Sequence, residues 1–252
     1  MKYDVFIPIR LESTRLPNKA LLELDGQSVI KYLVDRLRLS RKICNIVVCT
    51  TTDQSDDKLV EYLRNQNIST FRGSEKDILV RFLDAARHFD TDFIVAVDGD
   101  DIYSDPDIVD LIVKEFEKTN AEFIQILGIP VGFTPIGIKK SALENICKLK
   151  KTNNTETGYG RFFTENNLFN KRSLSVKTNI HFSKNLRLSL DYPEDFEIAK
   201  RIFAKLGNNF HFNDVLKVLN EDHELLKIVQ SLESKWNEHW QKNLADSSIK
   251  DI

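Results

Sequence analysis

The sequence predicts an α/β fold, a mainly parallel mixed sheet with helices on both faces. Two observations predict it. Short apolar runs of strand length alternate with segments whose apolar residues recur at helical spacing. Several of those runs also end directly in charged loops rather than in tight hairpin turns. Residues 3–9 are the first strand candidate. Residues 28–39 carry Val29, Ile30, Leu33, Val34 and Leu37 at helical spacing. Residues 45–50 read as a strand, 56–66 as a helix and 69–71 as a short strand. Residues 76–88 put Ile78, Leu79, Phe82 and Ala85 on one helical face. The run 93–97 is a strand ending in Asp98-Gly99-Asp100-Asp101. Asp105 can cap a helix with Pro106 in its first position, reaching about residue 118. Residues 121–127 form the next strand.

The rhythm loosens after residue 127. Residues 128–139 contain two prolines and three glycines, ahead of a helix near 141–150. Residues 150–160 are polar and include Gly158 and Gly160, the composition of a mobile loop. A strand is expected at 186–190, running into Asp191, then a helix at 193–206 and mostly helical residues at 213–242. This gives one domain over 1–245 with an inserted arm at about 128–185, and a polar tail at 246–252.

Lys and Arg total 36 against 38 Asp and Glu, a formal net charge of −2. That balance argues against binding nucleic acid by bulk electrostatics, but it leaves room for a local basic pocket. No apolar run reaches the roughly 18–20 residues of a bilayer span. The first strand lacks the zones of a signal peptide. No membrane association and a cytoplasmic location are expected. Cys44, Cys49 and Cys147 lack metal-site spacing, and the histidines are scattered, so free thiols and no zinc site are expected.

The sharpest feature is Arg10-Leu11-Glu12-Ser13-Thr14-Arg15-Leu16-Pro17-Asn18-Lys19, directly after the first strand. Ligands of open α/β sheets bind off the carboxyl ends of strands. Arg10, Arg15 and Lys19 supply cations there, and Ser13, Thr14 and the loop amides supply donors. A triphosphate with about four negative charges suits such a set. The segment is neither a G-x-G-x-x-G turn nor a Walker loop. A solvated basic loop is the plainer reading, and the position after a strand argues against it. Asp98, Asp100 and Asp101 follow the strand at 93–97, facing the same crevice, and hard carboxylate oxygens suit Mg2+. A capped turn is the alternative there. Glu194 and Asp195 read as first-turn helix electrostatics. Ser74 can cap a helix with Asp77 three positions on, as in a capping box. Arg72 and Arg81 read equally well as surface charges.

The run RLxSTRLPxK after a first strand resembles the CMP-sugar synthetase type of nucleotidyltransferase. The nearer likeness is to the branch typified by spore coat polysaccharide biosynthesis protein F. The segment Gly73-Ser74-Glu75-Lys76-Asp77-Ile78-Leu79-Val80-Arg81-Phe82 agrees with that branch. So do Leu188-Ser189-Leu190-Asp191-Tyr192-Pro193-Glu194-Asp195-Phe196 and residues 214–226. The resemblance covers roughly residues 3–227. It implies a Rossmann-like, GT-A-like nucleotidyltransferase fold and a homodimer in which the arm takes part. It implies a Mg2+-dependent enzyme joining CMP from CTP to an acidic sugar or other small phosphorylated or acidic acceptor. Pyrophosphate would be released, in surface glycan biosynthesis. It implies nucleotide contacts at Arg10, Leu11, Ser13, Arg15, Lys19, Gly73, Ser74, Asp77, Arg81 and Asp98. Arg15, Lys19 and Asp100 would be catalytic, and Asp100 and Asp191 would hold the metal. Asp98 and Asp101 depart from the branch, which usually has uncharged residues there. Residues 132–135 lack its usual acidic residue, and the stretch with Glu156, Tyr159 and Arg161 lacks its histidine. Lys139, Lys140, Arg161 and Lys184 are candidates for holding an acidic acceptor, or plain surface charges. Asp98-Gly99-Asp100 is also a DxD pattern, so a GT-A-type glycosyltransferase using a nucleotide sugar is the alternative. A nucleotide-binding regulator is a third reading, against which the cations and carboxylates together argue.

Overall fold

The computed structural model describes residues 1–250; residues 251–252 of the expected tail lie outside the described residues. The chain opens with β1 (Tyr3–Pro8). A short hairpin, β2 (Glu23–Leu24) and β3 (Gln27–Ser28), leads into α1 (Val29–Leu37). Ser28 caps that helix by accepting from the Lys31 amide. The alternation continues with β4 (Asn45–Thr51), α2 (Asp57–Asn65), β5 (Ser69–Gly73), α3 (Ile78–His88) and β6 (Phe93–Ala96). Next come α4 (Pro106–Thr119), β7 (Phe123–Leu127), β8 (Ile136–Lys139), α5 (Lys140–Leu149), the single turn α6 (Arg161–Thr164) and β9 (Lys171–Ser175). The last helices are α7 (Pro193–Leu206), α8 (Phe212–Glu221), α9 (His223–Ser231) and α10 (Glu233–Asn243).

The main sheet has seven strands in the order β5-β4-β1-β6-β8-β7-β9. Only β8 runs antiparallel to its neighbours. Side chains alternate between two cores, one on each face. Val5, Ile7, Ile46, Val48, Phe93 and Val95 enter the core shared with α1, α2, α4, α7, α8 and α9. Phe6, Val47, Cys49, Ile94 and Ala96 enter the core shared with α3, α5 and α6. Such two-faced burial explains why these strands read as unbroken apolar runs.

Four expectations change. Residues 186–190 are not a regular strand; a single bridge joins Arg187 to Val131. The segment instead lies extended across the site, with the Leu188 amide on the Val131 carbonyl and the Leu190 amide on the Asp100 carbonyl. Gly132 makes that approach possible: at φ +103°, a Cβ would stand 2.7 Å from the Leu188 carbonyl carbon. Helix α3 begins at Ile78, and its cap is Asp77 rather than Ser74. Of the stretch expected as an arm, residues 136–149 enter the sheet centre and its helix layer, because β8 pairs with both β6 and β7. The tail is docked as far as it is described, with the Lys250 amide on the Leu149 carbonyl.

Candidate active site

Strands β1 and β6 are parallel neighbours, so the loops that leave their carboxyl ends share one crevice. The loop after β1 is pinned from behind. Its Leu11 amide donates to Asp56 Oδ1 at 2.7 Å, while Asp56 Oδ2 accepts from the Thr50 hydroxyl at 2.8 Å and from the Thr51 amide and hydroxyl. Ser13 Oγ accepts from the Leu16 amide at 3.2 Å, so this hydroxyl shapes the loop. Asn18 takes the left-handed conformation at φ 55°, and Lys19 opens a single 3-10 turn.

Lys19 is the hub. Its ammonium donates to Asp100 Oδ2 at 2.6 Å and to the Leu190 carbonyl at 3.1 Å, and it lies 3.6 Å from Asp191 Oδ1. Burial alone would lower its pKa, but the Asp100 and Asp191 carboxylates outweigh burial and raise it. Arg15 donates to Asp191 Oδ1 at 2.6 Å and lies over the Tyr192 ring. The other oxygen, Asp191 Oδ2, accepts from Ser189 Oγ and Trp236 Nε1, each at 2.9 Å, and from Arg187 at 3.4 Å. Burial works against the charged form of Asp191, yet Lys19, Arg15 and Arg187 hold it below the usual carboxylate range. Asp195 supports this arrangement from the first turn of α7. It accepts from the Asp191 and Tyr192 amides and from Arg187.

Asp98 has a different environment. It accepts from the Tyr159 hydroxyl at 2.8 Å, and burial followed by the Asp100 charge pushes it up to about 7. Asp101 is buried and raised by the same causes. Around the loop after β5, Arg81 is buried rather than a surface charge. It donates to the Ser74 and Glu75 carbonyls and to Glu156. Gly73 admits it, because a Cβ there would stand 3.0 Å from Arg81 Cγ. Ser74 Oγ accepts from the Asp77 amide, and Asp77 is taken up by Val80, Thr155 and Lys150. Glu156 bridges Arg81 to Arg10, which lies at 3.3 Å. Arg72 pairs with Asp57, Lys139 donates to Asn120 and Arg161 donates to Glu165.

The fold thus gathers Arg15, Lys19, Asp100 and Asp191 into one cluster, with Asp98 beside it. Arg10 and Arg81 meet at Glu156, and Leu11, Ser13, Gly73, Ser74 and Asp77 shape the loops. Sequence reasoning missed Asp56, Arg187 and Trp236. Asp56 sits where a helix start was expected, which masks a loop anchor. Arg187 resembles a surface charge flanking a strand. Trp236 lies past every motif.

A family model described as cytidylyltransferase matches residues 5–228. The chain belongs to the cytidylyltransferase family. It is therefore a nucleotidyltransferase, and the glycosyltransferase alternative is set aside. An uncharacterized protein of Methanocaldococcus jannaschii is 31% identical over 216 residues, covering 85% of this chain and 87% of the relative. Spore coat polysaccharide biosynthesis protein SpsF of Bacillus subtilis is 25% identical over 224 residues, covering 86% of this chain and 93% of the relative. The solved structure of a cytidylyltransferase from Leptospira borgpetersenii superposes with a TM-score of 0.81 at 28% identity, covering 89% of this chain and 96% of the other. No helix among the described residues is long and apolar enough to cross a membrane.

Proposed function

We propose that this cytidylyltransferase-family enzyme uses CTP and Mg2+ to join CMP to an acidic sugar or another small phosphorylated or acidic acceptor. Pyrophosphate is released, and the product serves surface glycan biosynthesis. The observation that carries the reading is the Lys19 ammonium seated against Asp100 and Asp191, beside Arg15, off the carboxyl ends of neighbouring strands. That seat already accommodates a cation, and its donors are all oxygens, two carboxylates and the Leu190 carbonyl. Such a set fits Mg2+. Asp100 and Asp191 would hold the ion, which supplies charge neutralisation to the reacting phosphates.

The chain's own residues carry the rest. Arg15 and Lys19 turn from their carboxylates to the β- and γ-phosphates and stabilise the departing pyrophosphate. An acceptor oxygen bonds to the α-phosphorus as the bond to the bridging oxygen breaks. Asp56 and Asp195 keep the two flanking segments in register, so catalysis is mostly positioning and charge complementarity. Arg10 and Arg81 border the nucleotide through Glu156. A cytoplasmic homodimer completes the proposal. Leu127, the last residue of β7, and Val131 after it are exposed apolar side chains, at 47% and 38%, that support association.

A pyrophosphate-release screen tests the reading, with the four nucleoside triphosphates crossed against acidic sugars, phosphonates, phosphorylated small molecules and polyols. Release with CTP and an acceptor, in preference to ATP and GTP, is expected. Turnover with a purine triphosphate and none with CTP would overturn it. Sedimentation of a monomer at high concentration would reject the dimer.

A further inference from the structure

Residues 232–250 follow the family-matched stretch, yet they meet the crevice on two sides. Trp236 of α10 donates its indole N–H to Asp191 Oδ2 at 2.9 Å. The Lys235 ammonium lies 4.3 Å from the centre of the Tyr192 ring, and the Tyr192 hydroxyl donates to the Lys235 carbonyl at 3.4 Å. Beyond the helix, the Ala245 amide donates to the Thr157 carbonyl at 3.0 Å, and Arg161 donates to the Ala245 carbonyl at 3.3 Å. Ile249 bridges Lys150. One segment is therefore tied at one end to Asp191. At the other it is tied to the loop that carries Glu156 and Tyr159.

We propose that residues 232–250 are a strap completing the active site, and that Trp236 is a positioning residue for Asp191. The proposal rests on reading Asp191 as part of the nucleotide and metal site. Indole nitrogen is a donor only, so Trp236 can fix a carboxylate oxygen but never compete with it for a cation. With Ser189 it holds Oδ2, which aims Oδ1 at Arg15 and Lys19. The ring itself packs against the larger core and stacks on Trp240 at 5.8 Å and 17°, so the indole cannot swing freely. His239 of the same helix stands in the fields of Arg15 and Asp191, after burial the main influences on its imidazole. Through Trp236 and Lys235 the helix reaches both Asp191 and Tyr192.

The chain has two tryptophans, Trp236 and Trp240, both in the strap, so emission excited selectively from tryptophan, to the exclusion of the tyrosines, reports this segment alone. When Arg15 and Lys19 turn to phosphate, the charge around the Trp236 indole changes. Titrating the full chain with CTP and Mg2+ should give a saturable emission change whose midpoint equals the dissociation constant from calorimetry. Trp240→Phe should keep that change, which then belongs to Trp236. Trp236→Phe keeps a ring but loses the donor to a charged acceptor. It should weaken binding of CTP with Mg2+ roughly 10-fold or more, with its melting temperature near wild type. Calorimetric binding without any emission change, together with unchanged affinity in Trp236→Phe, would overturn the strap. A lowered melting temperature with unchanged affinity would also overturn it, by making the tryptophan a packing residue. If Trp236→Phe does not fold, the emission of the wild-type chain and of Trp240→Phe still decides. No heat with CTP in the wild-type chain would overturn the nucleotide reading itself, and this inference with it.

Discussion

Lys19 has two tasks that can be measured apart. In the free protein it is the counter-ion of Asp100 and Asp191, at 12% side-chain exposure. Lys19→Met keeps most of the stem and removes the charge, leaving Asp100 without its ion-pair partner beside an Asp191 still held by Arg15 and Arg187. We predict a loss of about 1–3 kcal/mol, or roughly 2–12 °C in melting temperature. Millimolar Mg2+ should restore more of that loss in the variant than it adds to the wild type, as read by thermal melts with and without EDTA. A variant that melts like wild type and ignores Mg2+ would remove Lys19 from this role. Arg15 is more exposed, so Arg15→Ala should cost little stability while weakening CTP binding roughly 10- to 150-fold, as calorimetry would report. These residues were legible because each sits in a loop beside a recognisable run, and charge in such a loop needs an explanation. Asp56 and Trp236 were not legible. A helix-initiating aspartate and a tryptophan in an amphipathic tail each have an ordinary structural reading, and only the fold shows what they face.

At the scale of elements, the loop after β1 depends on Asp56. One carboxylate serves Leu11 with one oxygen and Thr50 and Thr51 with the other. Asp56→Asn leaves a single acceptor oxygen, which stays with the three donors of Thr50 and Thr51, so the Leu11 amide of the loop loses its partner. Hydrogen exchange should quicken at residues 11–18 while β4 and β6 stay protected, and the affinity for CTP should fall with it. Unchanged exchange in that loop would refute the anchor. Strand β1 itself carries one buried carboxylate, Asp4. Asp4 accepts from Thr91, and burial raises it above its ordinary value of 3.8. The unfolded chain releases this proton first as pH rises, so wild-type stability drops between 3.8 and the raised value and stays lower above it. Asp4→Asn keeps an oxygen for Thr91 and removes the titration. Its stability relative to wild type should therefore rise across that window, as denaturant melts from pH 3 to 7 would record. Helix starts were readable to a residue or two, since Ser28 and Asp105 are caps and Pro106 and Pro193 open helices. Strand β8 was not readable, because four residues beside Pro135 are too few to set a period, and its register comes from β6 and β7. Residues 186–190 have a strand's alternation, but they lie where only one bridge can form.

At the scale of the whole molecule, the two cores are separated by the sheet, and something must tie the helices of the larger core to the turn that carries the acidic residues. Arg36 does so. It is fully buried at the end of α1, stacked on the Phe210 ring at 3.6 Å. Its guanidinium donates to the carbonyls of Asn208 and Phe210, between α7 and α8, and to those of Tyr103 and Ser104. The Ser104 amide in turn donates to the Asp101 carbonyl, so one side chain links α1, the α7–α8 connection and the acidic turn. Burial lowers its pKa to about 10, with Asp105 opposing, so the guanidinium stays charged at neutral pH although it is desolvated. Arg36→Met fills much of the volume but leaves four carbonyls without this donor. Leaving a buried carbonyl unsatisfied costs about 1–3 kcal/mol, or roughly 2–12 °C in melting temperature, and the variant should lose at least that much. Arg36→Lys tests whether charge or shape matters. An ammonium is a point donor and cannot span carbonyls on both sides or stack as a plane. We therefore predict that Lys recovers less than half of the loss, and that both variants weaken CTP binding, because the acidic turn loses its brace. Full recovery by Lys would mean that the buried charge alone, and not the planar fork, holds the three segments together.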